Sequence, residues 1–132
     1  MDERRLEGLP LFDSLAKGDR RRIASLTDEV DIREGEELLH QGDFAHEFML
    51  VMDGSAEVVR DSEHVADLGP GDFLGEIAAL DRGQRNASVV AKSQMRVIVM
   101  TDRDLRHIAR AMPTVNTQLR DAAREHCPLT EI

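Results

Sequence analysis

The residues best suited to chemistry are a carboxylate and a guanidinium nine positions apart, Glu76 and Arg85. Both lie in Gly71-Asp72-Phe73-Leu74-Gly75-Glu76-Ile77-Ala78-Ala79-Leu80-Asp81-Arg82-Gly83-Gln84-Arg85-Asn86-Ala87-Ser88-Val89. This spacing predicts a short helical turn from Gly75 to Leu80 with a glycine at its mouth. The exposed N–H groups of such a start attract anions, and glycine lets a ligand approach the backbone closely. Glu76 falls in that first turn, where the helix dipole favours its charge. Arg85 then opens a strand beside the small residues Asn86, Ala87 and Ser88. Arginine offers a rigid fork of donors to phosphate oxygens, and Ser88 can add a hydroxyl. A carboxylate for sugar hydroxyls beside an arginine for phosphate is what a cyclic nucleotide requires.

These residues need a scaffold, and the pattern around them supplies one. From Val30 to Met100 short strand-like runs are punctuated by Gly35, Gly42, Gly54, Gly69, Gly71, Gly75 and Gly83. The runs are Glu37–His40, Phe48–Met52, Ala56–Arg60, His64–Leu68, Asn86–Ala91 and Met95–Met100. In the last, the odd positions make one apolar face, as a barrel strand needs. Asp53-Gly54 between two runs reads as a hairpin turn. The fold class is therefore mainly β with flanking helices, an antiparallel sandwich or barrel of jelly-roll (double-stranded β-helix) type.

The helices flank this barrel on both sides. Residues 1–27 hold N-terminal helical segments, the second starting near Asp19 as an N-cap type and placing Ile23 and Leu26 on one face. Its run Arg20-Arg21-Arg22 reads as a solvated helix face rather than a kinase signal for Ser25. The barrel takes 28–101, and two C-terminal helices take 102–132. Thr101 and Asp104 have capping-box spacing, with Leu105, Ile108, Ala109 and Met112 on one face beyond them. Pro113 starts the last helix, whose stripe is Val115, Leu119, Ala122 and Ala123. Pro128 ends it. The whole chain, 1–132, reads as a single domain.

Phe73-x-Gly75-Glu76-Ile77-Ala78-x-Leu80, followed by Arg85-x-Ala87-Ser88-Val89, resembles the phosphate-binding cassette of cyclic-nucleotide-binding domains. That family includes the regulatory subunit of cyclic-AMP-dependent kinase and catabolite activator protein. The likeness runs from about Leu9 to Cys127, taking in Gly35-Glu36, Gln41-Gly42-Asp43 and Asp53-Gly54 as turn residues. The resemblance implies that Glu76 accepts from the ribose 2′-hydroxyl and that Arg85 pairs with the cyclic phosphate. Backbone N–H groups near Ala78 and Ala87, with the Ser88 hydroxyl, would complete the cradle. Gly75 would serve for its conformation, while Ile77 and Leu80 pack the cassette on the barrel. Asn86 departs from the Ala or Thr common at its position, where Thr accompanies a preference for cyclic GMP. The base cap would come from Leu119, Ala122, Ala123 or His126, none of which stacks as Tyr or Trp would. Cyclic AMP is the expected ligand ahead of cyclic GMP.

Bulk properties narrow the remaining classes. The 132 residues are 41% hydrophobic and 33% charged, a globular balance, and only 3% are aromatic, so aliphatic residues must build the core. A net charge of −9 argues against nucleic-acid or anionic-membrane partners. No run approaches the roughly 18 apolar residues of a membrane span, and Met1-Asp2-Glu3-Arg4-Arg5 opens no signal peptide. The lone Cys127 gives no internal disulfide, so the expected compartment is cytoplasmic. A metal-binding cupin is the alternative barrel, but no two of His40, His46, His64, His107 and His126 have His-x-His spacing. No Gly-x-Ser-x-Gly elbow points to an enzyme. No cofactor is expected, and too little chain follows the last helix for a helix-turn-helix. The expectation is a non-enzymatic sensor that signals through its C-terminal helices to a separate protein effector. It would act as a monomer, or as a homodimer through the last helix. A barrel that has lost nucleotide binding and serves as an interaction scaffold is the other alternative.

Overall fold

Successive side chains on a strand point to opposite faces, and β8 (Met95–Thr101) uses both. Met95 and Val97 enter one buried cluster, whereas Ile98 and Met100 enter another. Strands buried on both faces lie at the heart of a layered fold, and β8 is one of eight strands among the described residues. The computed structural model describes residues 3–9, 12–42, 47–74 and 87–126, without the side chains of residues 3, 119 and 122–126.

Two antiparallel four-stranded sheets carry the fold. The first runs β1 (Asp28–Ile32), β8, β3 (Glu47–Asp53), β6 (Phe73–Leu74). The second runs β2 (Glu37–Leu39), β7 (Ser88–Ala91), β4 (Ala56–Arg60), β5 (Glu63–Leu68). The couples are nested: β1 with β8, β2 with β7, β3 with β6 and β4 with β5. One long ribbon doubled over in this way is a jelly roll. The ribbon is closed on itself by β3 against β8 and β4 against β7.

The space between the sheets is filled by Met49, Val51, Ala56, Val58, Leu74, Val89 and Val97, among others. On the outer side of the first sheet, Phe48, Leu50, Phe73, Ile98 and Met100 form a second core with the helices. Leu6, Phe12, Leu15 and Ile23 reach it from the N-terminal side, and Leu105, Ile108, Met112 and Val115 from the C-terminal side. Fully burying one such side chain is worth about 1.5–3 kcal/mol, so the helices are strongly held there. The outer side of the second sheet carries the exposed His64 beside Glu57 instead.

Helix α1 (Lys17–Ala24) starts two residues before Asp19, which falls in its first turn rather than at the cap. Ala16 is the cap and makes no side-chain bond there. Burial of Ile23 and Ala24 sets that start, overriding the capping preference. Arg21 and Arg22 are exposed, as a solvated face requires. Helix α2 (Asp102–Ala111) is capped as its sequence predicts, the Thr101 hydroxyl accepting from the Asp104 N–H at 3.2 Å. Pro113 opens α3 (Pro113–His126), where its missing N–H costs nothing.

The hairpin expected at Asp53-Gly54 is not one. Strands β3 and β4 belong to different sheets, so this turn carries the chain from one sheet to the other. Gly54 has φ +89°, and a Cβ there would stand 2.4 Å from the Gln94 carbonyl oxygen. The tight two-residue hairpin lies instead at Asp61-Ser62, between the paired Arg60 and Glu63. Both turn residues are left-handed, with φ 52° and 67°, as a type I′ turn demands.

Candidate functional site

The segment that follows Leu74 is launched by a tightly built turn. The Asp72 carboxylate accepts from the Gly69 N–H at 2.9 Å, and the Asp72 N–H donates to the Gly69 carbonyl at 3.1 Å. Gly71, at φ +94°, donates to the Val51 carbonyl, and Val51 donates back to Asp72, both at 2.8 Å. This reciprocal pair fastens the turn to β3. Strand β6 then runs beside β3 with Leu74 opposite Met49 and Phe73 opposite Leu50. Both β6 side chains are buried, one in each core.

The described residues resume at Ala87, one residue before β7 of the other sheet. Ala87 is wholly buried in the cluster between the sheets, with Val89 and Ala91. Ser88 begins β7, flanked by β2 on one side and β4 on the other. Its Oγ accepts from the Gln41 N–H at 2.9 Å. A hydroxyl has one donor and two acceptor positions, so this bond leaves the Ser88 proton to donate to an anion. The Gln41 carboxamide is also engaged: its Nε2 donates to Asp61 Oδ1 at 2.8 Å, and its Oε1 accepts from the Asp61 N–H at 3.0 Å.

Of the residues the sequence singles out, the structure thus places Ala87 and Ser88 at the exit of the segment. Gly75, Glu76, Ile77, Ala78, Leu80, Arg85 and Asn86 lie outside the described residues, as do His46 and Cys127. Leu119, Ala122, Ala123 and His126 lie on α3, and their side chains are likewise outside the description. Gln41 and Asp61 are what sequence reasoning missed. Gln41 was legible only as part of a turn, and its partners stand 20 and 47 positions away.

Elsewhere the polar groups pair on the surface. His40 Nδ1 lies 2.8 Å from Glu37 Oε1, and His64 Nδ1 lies 2.9 Å from Glu57 Oε1. Among the described residues no group of three or more His, Cys, Asp or Glu is arranged to hold a metal ion. The exposed Arg96 is held above its usual pKa by its Nε–H bond to the Asp31 carboxylate at 3.0 Å. Among the described residues no helix is long and apolar enough to cross a membrane.

A family model described as cyclic nucleotide-binding domain matches residues 29–111. The chain is similar to the cAMP-dependent protein kinase regulatory subunit of Schizosaccharomyces pombe, at 38% identity over 93 residues. That match covers 70% of this chain and 23% of the relative. The chain spans about a quarter of the length of the curated relatives it matches. Among solved structures, the C-linker/CNBHD of zELK channels, crystallised in the presence of cAMP, superposes with a TM-score of 0.85 at 25% identity. It covers 100% of this chain and 68% of that one. Thermus thermophilus Catabolite Activator Protein gives a TM-score of 0.74 at 26% identity, covering 88% of this chain and 57% of that one.

Proposed function

Because the chain belongs to the cyclic nucleotide-binding domain family, we propose that it is a regulatory sensor that binds cyclic AMP in preference to cyclic GMP. The observation that carries this reading is the family match over residues 29–111, which spans both Glu76 and Arg85. Glu76 takes the ribose 2′-hydroxyl, and Arg85 takes the cyclic phosphate with its bidentate fork. Gly75, Ile77, Ala78, Asn86 and Ala87 shape the cradle, and the Ser88 hydroxyl donates into it. The bond from Gln41 N–H to Ser88 Oγ supports that last role, because it uses an acceptor position of the hydroxyl and leaves its proton to donate. The preference for cyclic AMP draws on the relatives named as cAMP-dependent kinase subunits.

The module comprises residues 1–132 as one unit, with 1–27 and 102–132 flanking the barrel at 28–101. It works in the cytoplasm without chemistry on its ligand. Its output passes through α2 and α3 to a separate protein effector, with the base cap drawn from Leu119, Ala122, Ala123 or His126. Leu105, Ile108, Met112 and Val115 share their core with Phe73, which stands two residues ahead of Gly75. A shift of the cassette on nucleotide binding therefore presses on the packing of both helices. Ligand moves that equilibrium only through its differential affinity for the two arrangements.

Calorimetric titration with cyclic AMP and cyclic GMP, with 5′-AMP and the Arg85→Ala variant as controls, tests the reading. Binding of cyclic AMP that the variant loses is the expected result. Absence of binding to either nucleotide at millimolar concentration would turn the reading toward an interaction scaffold.

A further inference from the structure

We propose that Gln41 is a positioning residue for the nucleotide, a strap that fixes the exit of the cassette. The inference rests on the nucleotide-sensor reading and adds a residue outside the cassette to it. Strand β7 lies between β2 and β4, and its first residue, Ser88, stands opposite Val59 of β4. On the other side, the β2–β7 backbone ladder stops at Leu39 opposite Val89. Two residues on, the Gln41 N–H bonds to Ser88 Oγ, which adds a rung made by a side chain.

The Gln41 carboxamide then reaches the far neighbour of β7. It closes a two-bond ring with Asp61, at the tip of the hairpin that follows β4. One residue thus joins the two strands flanking β7 at the point where the chain emerges from the cassette, three positions after Arg85. The hairpin tip invites such a strap. Asp61 and Ser62 are both left-handed without being glycine, a conformation that persists only where its surroundings over-determine it. A polar ring that holds Asp61 from both its N–H and its carboxylate supplies that constraint. Holding the start of β7 reduces the freedom that nucleotide binding must otherwise remove from the strand following Arg85, which is the general gain from preorganisation.

The test measures the dissociation constant for cyclic AMP of the full chain and its variants, with thermal unfolding of the same samples. Gln41→Ala keeps the backbone N–H to Ser88 and loses both bonds to Asp61, so affinity falls about fivefold, the scale of one ordinary hydrogen bond. Asp61→Ala loses only the carboxylate's bond and keeps its N–H on Gln41 Oε1, so affinity falls by less, and the double variant is no weaker than Gln41→Ala, because that change already removes both bonds. Asp61→Asn keeps an N–H and a side-chain oxygen for Gln41 and retains wild-type affinity. A Gln41→Ala protein that melts earlier yet binds cyclic AMP as the wild type does would make Gln41 merely structural and overturn the proposal. Additive losses in the double variant would overturn it too. A wild-type chain that fails to bind removes the sensor reading itself, and this inference with it.

Discussion

Phe48 on β3 and Phe73 on β6 stack with ring centroids 5.5 Å apart and planes inclined at 38°. Both rings lie on the helix side of the first sheet, in one core with Leu105, Ile108, Met112 and Val115. The aromatic pair contributes about 0.5–1.5 kcal/mol beyond simple burial. One residue separates Phe73 from Gly75, so this stack joins the start of the cassette to the floor beneath α2 and α3.

Replacing Phe73 by alanine should therefore cost about 3–5 kcal/mol in urea unfolding, the range for a buried aromatic that leaves a cavity. Val65→Ala, at a residue 42% exposed, should change stability by no more than about 0.5 kcal/mol. Equal losses at the two positions would show that the helix-side core is not where stability resides.

Gly54→Ala should destabilise more than Gly35→Ala. Both glycines have positive φ, but only at Gly54 would the added Cβ meet the Gln94 carbonyl at 2.4 Å and Met95 Cγ at 2.8 Å. A Cβ on Gly35 meets nothing within 4 Å, leaving only backbone strain of about 1 kcal/mol. Overpacking adds about 1–3 kcal/mol at Gly54. Chemical denaturation of the two variants side by side gives the difference, and equal values would refute the crowding.

Thr101→Ala should cost about 1 kcal/mol, because it removes the oxygen that accepts from the Asp104 N–H. Thr101→Ser keeps that oxygen and should recover most of the loss. Failure of serine to rescue would mean that the methyl group, not the cap, mattered.

Arg85→Ala should weaken cyclic AMP binding about tenfold or more, since a charge-assisted hydrogen bond is worth about 1.5–3 kcal/mol. Calorimetry reads this directly. An unchanged dissociation constant would dismiss Arg85 as the phosphate partner.

Cyclic AMP should also slow hydrogen exchange in residues 102–126, with the largest effect around Leu105 and Ile108. These residues share a core with Phe73, so closure at the cassette reaches them first. Identical exchange with and without nucleotide would detach the helices from the signal.

Much of this architecture is local information. The run Ala56–Arg60 could be read directly as β4, and the Thr101 cap and Pro113 start announce α2 and α3. In each case the preference belongs to a few adjacent residues: alternation at period two, a hydroxyl oxygen three residues before an N–H, or a fixed φ. The motif from Gly75 to Val89 is equally local, which is why the family was legible there. Strand β6 was not, because two residues carry no periodicity.

Pairing across the fold is another matter. A turn signal such as Asp53-Gly54 reverses the chain but does not say which strand will lie alongside; only closure of two sheets around Val51, Val58 and Val97 decided that β3 faces β8 and β6. The bonds from Gln41 to Ser88 and Asp61 exist because the jelly roll lays β7 between β2 and β4. Sequence by itself determined the elements and the motif, through short-range conformational preference. Tertiary structure decided the partners, because burying residues on both faces of β3, β6 and β8 and on the inner face of the second sheet selects one register among the many that local chemistry permits.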